Sequence, residues 1–326
     1  MSKDESFSLV LFMALVPLLR LKKLARQLIV NHVKRHKRAE LRMLRILREA
    51  FGSKFIMLDY EVQVRPRYTP GRPHPLLFEL INANRKQYES LLSSFLKYKD
   101  DFVRISHDAA IGAPDAPRWR NEFLAGLDAV ALYSMLAATN PRRYLEIGSG
   151  NSTEFARRAI RDHGLRTQIT SLDPNPRSGV DTICDLCVRV RLEDSDLDVF
   201  QTLEEGDILF VDGSHRSFTN SDVTVFFLEV LPHLKPGVLV QIHDIHLPYD
   251  YPEEWSHRFY SEQYLLATTL LSQTNYLTIL LPNAFISHDE RLARVVEPLW
   301  NHPSMKDVDR YGGSFWIMKG PNVRTD

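Results

Sequence analysis

Apolar residues recur with two different periods in the two parts of this sequence. Up to about residue 140 they recur three and four positions apart, for example over residues 76–103 and 121–141, which predicts helices. After Pro141, short apolar runs of strand length alternate with stretches of helical period. The first part is therefore predicted to be helical, and the second to be a sheet with helices between its strands.

Seven strands are predicted in the second part. They cover residues 143–148, 168–173, 187–192, 207–213, 237–244, 276–282 and 314–320. Strands that alternate with helices of this length form parallel βαβ units with both sheet faces covered. The segment between the last two strands is longer and has no clean crossover, which favours an antiparallel pair. We predict an α/β, doubly wound, Rossmann-like fold: a seven-stranded, mostly parallel sheet with an antiparallel last strand, preceded by an N-terminal helical segment.

Charge divides the N-terminal part further. Residues 1–50 hold twelve Lys/Arg and four Asp/Glu, although the whole chain has no net charge. The apolar run of residues 7–21 is shorter than the roughly 20 residues of a bilayer span and lacks the features of a secretory signal. We predict a basic amphipathic helical segment over 1–50, a Pro-rich connector and helix over 51–104, and the main domain over 105–326.

Two roles stay open for the basic segment. A basic amphipathic helix binds anionic membrane surfaces peripherally, and it can equally pack on its own domain or on a second subunit in a homo-oligomer. Nucleic-acid binding is not expected, because no aromatic residues or known fold signature accompany the charges. Cys184 and Cys187 are interpreted as structural, which fits a reducing compartment. We expect a cytoplasmic location, with membrane association as an option.

Ligands of open α/β sheets bind beyond the carboxyl ends of the strands. There, Gly148 and Gly150 allow a tight turn, and the helix behind them offers free N–H groups. Thr153 stands where a dinucleotide fingerprint has its third glycine, which disfavours a pyrophosphate. Glu146 suits a ligand that carries positive charge. Asp173, at the end of the second strand, can accept hydrogen bonds from ribose hydroxyls.

Four sequence motifs carry a family resemblance. "YLEIGSGNST", together with "SLDP", "DILFVDGSH" and "LKPGVLVQIHDI", resembles the class I S-adenosylmethionine (SAM) dependent methyltransferases, and among them the bacterial macrocin-type sugar and natural-product O-methyltransferases. The resemblance covers residues 144–247 well and the final strands loosely. It implies SAM as the cofactor, the first loop facing its methionine part, Asp173 on the ribose, and Glu193 or Asp194 near the adenine. The full predicted cofactor set is Glu146, Gly148, Ser149, Gly150, Asn151, Ser152, Asp173, Glu193, Asp194 and Asp212.

Acidic residues and histidines follow the fourth and fifth strands. Methyl transfer to an oxygen requires removal of the acceptor's proton, for which histidine is suited. The predicted catalytic residues are His215 as the first choice of general base, His246 as the second, and Asp212. His243 is expected to bond a neighbouring backbone group instead.

A divalent metal is an open alternative. Metal-dependent relatives carry an aspartate after the fourth strand, and an aspartate followed by asparagine or aspartate after the fifth. Asp212 and Asp244 match the first two positions, but Ile245 cannot ligate a metal. His246 or His215 could complete a different set, and nitrogen ligands favour manganese, iron or zinc over magnesium. The predicted metal set is Asp212, Asp244 and His246.

Residues 247–264 are rich in aromatic and charged side chains. They suit a lid over an acceptor, with Tyr249, Tyr251 and Trp255 as stacking faces, although a surface-packed loop explains them equally well. Trp119 and Arg120 are candidates for the opposite wall.

The leading hypothesis is a SAM-dependent methyltransferase that methylates a hydroxyl of a small molecule or glycosyl group. An NAD-type oxidoreductase is disfavoured by Thr153 and Glu146. A third reading is a non-catalytic SAM-binding or scaffold protein that acts through its N-terminal helices. The sequence does not identify the acceptor.

Overall fold

A computed structural model of the chain describes residue 46 and residues 62–108, 116–176, 179–272 and 275–321. The chain divides into two compact units, Met1–Gln63 and Val64–Asp326. Nearly all described residues belong to the second unit. The basic segment predicted over 1–50 lies outside the described residues except for Ile46, so its membrane or subunit role stays a prediction.

The second unit is built on one seven-stranded sheet in the order β3-β2-β1-β4-β5-β7-β6. The strands are β1 Arg143–Ile147, β2 Gln168–Leu172, β3 Leu186–Val188, β4 Ile208–Val211, β5 Leu239–Ile242, β6 Leu277–Pro282 and β7 Phe315–Lys319. Strands β1 to β5 pair in parallel, whereas β7 lies antiparallel between β5 and β6. The predicted fold class, including the antiparallel last strand, is confirmed.

Helices surround the sheet. They are α1 Pro75–Asn82, α2 Arg85–Phe95, α3 Lys99–Phe102, α4 Gly126–Thr139, α5 Asn151–His163, α6 Asp198–Gln201, α7 Asp222–Val225, α8 Leu231–His233, α9 Glu262–Leu271, α10 Asn283–His288, α11 Glu290–Val295 and α12 Glu297–Trp300. A π-helical turn, Phe226–Val230, joins α7 to α8. Short 3₁₀ turns cover Leu96–Tyr98, Val180–Thr182, Leu192–Asp194, Glu253–Arg258 and Pro303–Met305. No helix in these described parts is long and apolar enough to cross a membrane.

Strand burial explains the sheet's position in the core. Every residue of β4 and β5 is buried, as expected for parallel strands that helices cover on both faces. Helix α4 packs against α5 and is buried along its length from Gly126 to Leu136, so its apolar residues do not form a single stripe.

Helices α1 to α3 belong to the same compact unit as the sheet. Helix α2 packs against α4, α11 and β6. Its first residue, Arg85, forms a two-pronged ion pair with Asp289, with both N–O distances at 2.7 Å. The predicted boundaries at residues 50 and 104 themselves stay predictions.

The strand order determines which loops meet. Strand β1 lies between β2 and β4, and β4 lies next to β5, so the loops after these parallel strands open at one edge of the sheet. Gly148, Asp173, Asp212 and Asp244 are therefore brought to the same edge.

Candidate active site

The turn after β1 requires a glycine at position 148. Gly148 has φ +81°, and a Cβ atom there would lie 2.0 Å from the carbonyl oxygen of Asp212. Its N–H donates to the carbonyl of Leu172 at 3.0 Å, while the N–H of Asp212 donates to the carbonyl of Ile147 at 2.8 Å. The chain after β1 is thus held between the ends of β2 and β4.

Glu146 lies directly behind this turn and is fully buried. Its carboxylate accepts hydrogen bonds from the hydroxyls of Tyr144 at 2.9 Å, Ser152 at 3.1 Å and Thr153. Burial raises the pKa of Glu146 to about 7, against the lowering effect of the hydroxyl donors Thr153, Tyr144 and Ser152. Glu146 therefore fixes the start of α5 to β1, and direct contact with a ligand stays a prediction.

Thr153 has a clear structural reason to replace the third glycine. Its Oγ1 accepts the N–H of Gly150 at 3.1 Å and donates to Glu146. The side chain thus satisfies one of the free N–H groups at the start of α5 and one oxygen of the buried acid. A glycine here would remove both of these hydrogen bonds.

Asp173 ties the end of β2 to the same turn. One carboxylate oxygen accepts the N–H of Ser149 at 2.8 Å, and the other accepts the N–H of Asn175 at 2.7 Å. Each oxygen keeps a further lone pair. A contact with ribose hydroxyls is compatible with this geometry and stays a prediction.

A cavity of about 140 Å³ opens beside the turn, and we call it the loop cavity. It is lined by Arg118, Phe123, Leu124, Ser149, Gly150, Asn151, Ser152, Glu154, Phe210 and Asp212. Five residues of the predicted cofactor set lie here, which are Ser149 to Ser152 and Asp212. The other five do not line it: Gly148 forms the turn itself, Glu146 and Asp173 hold it through hydrogen bonds, and Glu193 and Asp194 lie in the turn after β3.

Two histidines and three carboxylates converge after β4 and β5. The Nε2 atom of His215 lies 3.1 Å from Asp212 Oδ1 and 3.4 Å from Asp244 Oδ2, and its Nδ1 lies 2.9 Å from Glu262 Oε2. Burial would lower the pKa of His215, but hydrogen bonds and charge from Asp212 and Glu262 raise it well above its usual value. His215 is therefore an imidazolium with both N–H groups directed at carboxylates.

His243 lies against the same acids. Its Nδ1 is 3.3 Å from Asp244 Oδ1 and 3.6 Å from Asp212 Oδ1, and its Nε2 is 3.7 Å from Asp128 Oδ2. Burial opposes the charged ring, but Asp244, Asp212 and Asp128 raise its pKa to about 10. The expectation that this ring bonds a backbone group is wrong, since both ring nitrogens lie against carboxylates among the described residues.

The charge of Asp212 follows from these contacts. Burial alone would raise its pKa, but the facing His243 and His215 more than offset that effect and lower it. Asp212 is thus a firmly ionised carboxylate that faces two positive rings. We call Asp212, His215, His243, Asp244 and Glu262 the charged cluster.

His246 lies apart from the charged cluster in an aromatic environment. Its Nδ1 is 2.9 Å from the hydroxyl of Tyr311, and the rings of Tyr251 and Trp255 face it edge-on, with centroids at 5.6 and 5.1 Å. Burial lowers the pKa of His246 to about 4, against the raising effect of Asp244. The ring is neutral at pH 7, and its buried Nε2 has no partner among the described residues.

The metal that metal-dependent relatives imply does not fit this arrangement. Asp212 and Asp244 do lie together, but the oxygens that would ligate an ion face the ring nitrogens of His215 and His243. His246 turns its Nδ1 to Tyr311 instead. Among the described residues, no three His, Cys, Asp or Glu side chains form a group that could hold a metal ion. The predicted trio is thus not brought together, and a metal requirement stays a prediction.

Left-handed backbone recurs around the site. His215, Asp244 and Glu122 have φ values of +59°, +55° and +66°. Such conformations cost a non-glycine residue about 1 kcal/mol or more and persist only where the surroundings enforce them. In His215 and Asp244, which belong to the charged cluster, this backbone conformation sets the direction of the side chain.

A second cavity of about 340 Å³ adjoins the first, and we call it the aromatic cavity. It is lined by Trp119, Arg120, Asn121, Glu122, Phe123, Leu124, Ala125, Asp128, His243, Asp244, His246, Trp255, Asp307, Asp309, Tyr311 and Gly313. Phe123 and Leu124 line both cavities. Trp119, Arg120 and Trp255 thus lie where the sequence predicted a pocket wall. Tyr249 and Tyr251 do not line the cavity, and both are buried.

The sequence motifs do not predict three residues of the site, which are Glu262, Tyr311 and Asp128. Glu262 opens an otherwise apolar helix, where an acid is commonly interpreted as a partner of the helix dipole. Tyr311 lies in an irregular segment. Only Asp128 gives a signal, because a carboxylate within the apolar run of α4 must find partners when buried. It accepts hydrogen bonds from Asn283, Gly313 and Ser314.

Residues 145–245 match a protein family described as "Methyltransferase domain". No curated protein matches the sequence. Among solved structures, the SAH-bound methyltransferase PaMTH1 of Podospora anserina is 17% identical with a TM-score of 0.37, over 60% of this chain and 79% of that one. The O-methyltransferase TomG of Streptomyces achromogenes, involved in tomaymycin synthesis and solved with SAM, is 16% identical with a TM-score of 0.31, over 71% and 90% of the chains. These distant structural similarities add no argument about function.

The matched residues run from β1 through β5 and include the glycine turn, Asp173, Asp212 and Asp244. The match thus describes residues 145–245 as a methyltransferase domain, and the strand order places these residues in a Rossmann-like sheet. The motifs resemble those of the macrocin-type enzymes. The family match favours methyl transfer over the NAD-type alternative.

Proposed function

We propose that this protein transfers the methyl group of SAM to a hydroxyl of a small molecule or glycosyl group that binds in the aromatic cavity. The observation that carries the proposal is the pairing of the two cavities. The loop cavity lies at the glycine turn, the aromatic cavity lies beside it, and Phe123 and Leu124 line both. A reaction between two bound molecules needs such adjacent sites.

The donor belongs in the loop cavity in this proposal. Among its lining residues, Asn151 and Ser152 begin α5, and their backbone N–H groups suit the carboxylate of the methionine part. Asp173 is assigned to the ribose. Asp212 lines the cavity, and its ionised carboxylate favours the positive sulfonium.

The geometry favours the opposite order of the two candidate bases, with His246 before His215. His215 already carries a proton on each nitrogen, so it is assigned a positioning role between Asp212 and Asp244. His246 is neutral at pH 7 and lines the aromatic cavity, and its buried Nε2 has no hydrogen-bond partner among the described residues. When Nδ1–H donates to the Tyr311 oxygen, the lone pair of Nε2 is left to accept a proton. We therefore assign the general base to His246.

The reaction follows as one displacement. A lone pair of the acceptor oxygen forms the new O–CH₃ bond in line with the breaking C–S⁺ bond, which returns its electron pair to sulfur. The acceptor proton passes to His246 Nε2. The products are a methyl ether and the neutral thioether S-adenosylhomocysteine (SAH). Asp244, which raises the pKa of His246, stabilises the imidazolium that forms.

Calorimetry with SAM and SAH tests the donor site. Both are expected to bind, and Asp173→Ala is expected to weaken binding about tenfold or more, because a charge-assisted hydrogen bond is lost. The control variant Glu229→Gln, on an exposed position of the π-helical turn, should bind as the unchanged chain does. Absence of SAM binding, or equal binding by Asp173→Ala, would refute the assignment.

Transfer itself is measured as label moved from methyl-labelled SAM to hydroxylated pyranoses and phenols. His246→Asn is expected to reduce the transfer rate roughly 100-fold with unchanged SAH affinity. An unchanged rate would remove His246 from the base role. Label on nitrogen or carbon of the product, rather than on oxygen, would overturn O-methylation.

A further inference from the structure

The aromatic cavity is rich in carboxylates. Five acids line it: Glu122, Asp128, Asp244, Asp307 and Asp309. Only Arg120 and His243 among its lining residues carry positive charge. This excess of acidic residues favours a positively charged ligand.

Two of the five acids are used within the protein. Asp128 accepts three hydrogen bonds and lies near His243, and Asp244 faces both His243 and His215. Both carboxylates are therefore already paired within the protein and are not available to bind the charge of a ligand.

The three remaining acids lie at the outer part of the cavity and are exposed. Asp307 is 3.8 Å from Arg120, whose guanidinium also lies 3.1 Å from Asp108. Asp309 Oδ1 accepts the N–H of Tyr311, and Oδ2 has no partner among the described residues. Glu122 forms no ion pair or hydrogen bond within the described ranges. Among the described residues, Glu122 and Asp309 thus have no ion-pair partner within 4.0 Å.

A separate observation marks the cavity as a ligand site. His246 is 5% exposed and lines the cavity, and its Nε2 has no hydrogen-bond partner among the described residues. A buried polar atom without a partner is uncommon in a folded protein, and a group bound in the cavity would supply the missing partner. A hydroxyl of the ligand meets this need.

Aromatic faces complete the lining. Trp119, Phe123, Trp255 and Tyr311 line the same cavity as His246 and the outer acids. Aromatic faces beside carboxylates are the surroundings that bind an ammonium group, through cation–π attraction combined with charge pairing.

We propose that the acceptor carries an ammonium group as well as the hydroxyl that is methylated, as an amino sugar or a phenolic amine does. Its ammonium group binds at Glu122 and Asp309, and its hydroxyl faces His246. This inference rests on the proposed O-methyl transfer, because it deepens the description of the same site.

Matched probes of different charge test the inference. With the protein saturated in SAH, binding of glucosamine, glucose and glucuronate is measured by ligand-observed NMR, followed by tyramine against the neutral 4-ethylphenol. The cationic member of each series is expected to bind about tenfold more tightly than the neutral one. Raising the salt from about 0.05 M to about 0.5 M should remove most of that preference.

The double variant Glu122→Gln/Asp309→Asn keeps the shape of both side chains and removes their charge. It is expected to lose the preference for the cationic probes while it keeps the affinity for SAH. Glu229→Gln, which removes one charge far from the cavity lining, should change neither.

Three results would overturn the inference. They are equal binding within each series, a preference that survives in the double variant, and displacement of glucosamine by an equal concentration of Mg²⁺. Failure of SAH to bind at all would instead refute the proposed methyl transfer, so the two failures are distinguishable.

Discussion

Glu262 Oε2 lies 2.9 Å from His215 Nδ1, and both side chains are almost completely buried. The contact joins the start of α9 to the loop after β4. It also fixes the direction in which Nε2 of the same ring points, toward Asp212 and Asp244. A helix outside the family-matched residues therefore orients the charged cluster inside them.

Replacing Glu262 by glutamine should destabilise the fold and remove the negative charge beside His215. Glutamine keeps an acceptor oxygen but removes the negative charge, so we expect a loss of about 2 kcal/mol in the free energy of unfolding. The pKa of His215 should fall, because Glu262 is one of the two groups that raise it. Urea unfolding measures the first effect and NMR titration of the ring measures the second. Glu229→Gln is the control, and unchanged values for both quantities would contradict the prediction.

Glu146 should make the stability of the fold depend on pH. Its pKa rises from 4.5 to about 7 in the folded state, so the folded chain holds this proton more tightly than the unfolded chain. The resulting stabilisation is full below about pH 4.5 and is lost as the pH rises through 7, about 3 kcal/mol in all. Glu146→Gln should lack this pH dependence. Unfolding free energies at several pH values from 5 to 8, compared between the two proteins, check it, and parallel curves would refute it.

Gly148→Ala should disrupt the turn after β1. The added methyl group would meet the carbonyl oxygen of Asp212 at 2.0 Å, and φ +81° is unfavourable for alanine. We expect a destabilisation of about 2 kcal/mol or more and a strongly weakened affinity for SAH. Gly179→Ala is the matched control, since a Cβ there meets nothing within 4 Å. Thermal unfolding and calorimetry report the two effects, and a Gly148→Ala protein that behaves like the control would show the turn to be more adaptable.

Tyr311→Phe should allow the His246 ring to populate both of its neutral tautomers. The phenol hydroxyl is the hydrogen-bond partner of Nδ1, at 2.9 Å. Its removal is expected to lower kcat about tenfold without changing the affinity for SAH. Nitrogen NMR shifts of the ring should change from one fixed tautomer to a mixture, which a purely structural role for Tyr311 would not produce. Tyr276→Phe, before β6, is the control. If His246 keeps a single tautomer in Tyr311→Phe, a group other than Tyr311 holds that tautomer, and the prediction is wrong.

The sheet could be predicted almost completely because its signal is local. Each strand is a short apolar run bounded by turn residues, and the position of Glu146, Asp173, Asp212 and Asp244 at strand ends follows from that pattern alone. The glycine turn can be predicted as well, because Gly148 is needed where the end of β1 closely approaches the end of β4.

The contacts of the histidines could not be predicted in this way. His215 and Glu262 are 47 residues apart, and His246 and Tyr311 are 65 residues apart. Neither partner belongs to a motif. Which of several histidines carries a charge depends on the sum of burial and neighbouring carboxylates, and those neighbours are known only once α4, α9 and residues 307–313 are placed. For this reason the sequence ranked His215 above His246, and the geometry favours the opposite order.

The aromatic cavity takes most of its wall from two stretches, residues 119–128 and 307–313, and both lie outside the matched residues 145–245. The loop cavity takes most of its wall from within them. Exchanging residues 119–128 and 307–313 between related chains would thus change the walls of the aromatic cavity and leave the glycine turn intact. Along the chain, most residues that line the aromatic cavity thus lie apart from those that form the glycine turn.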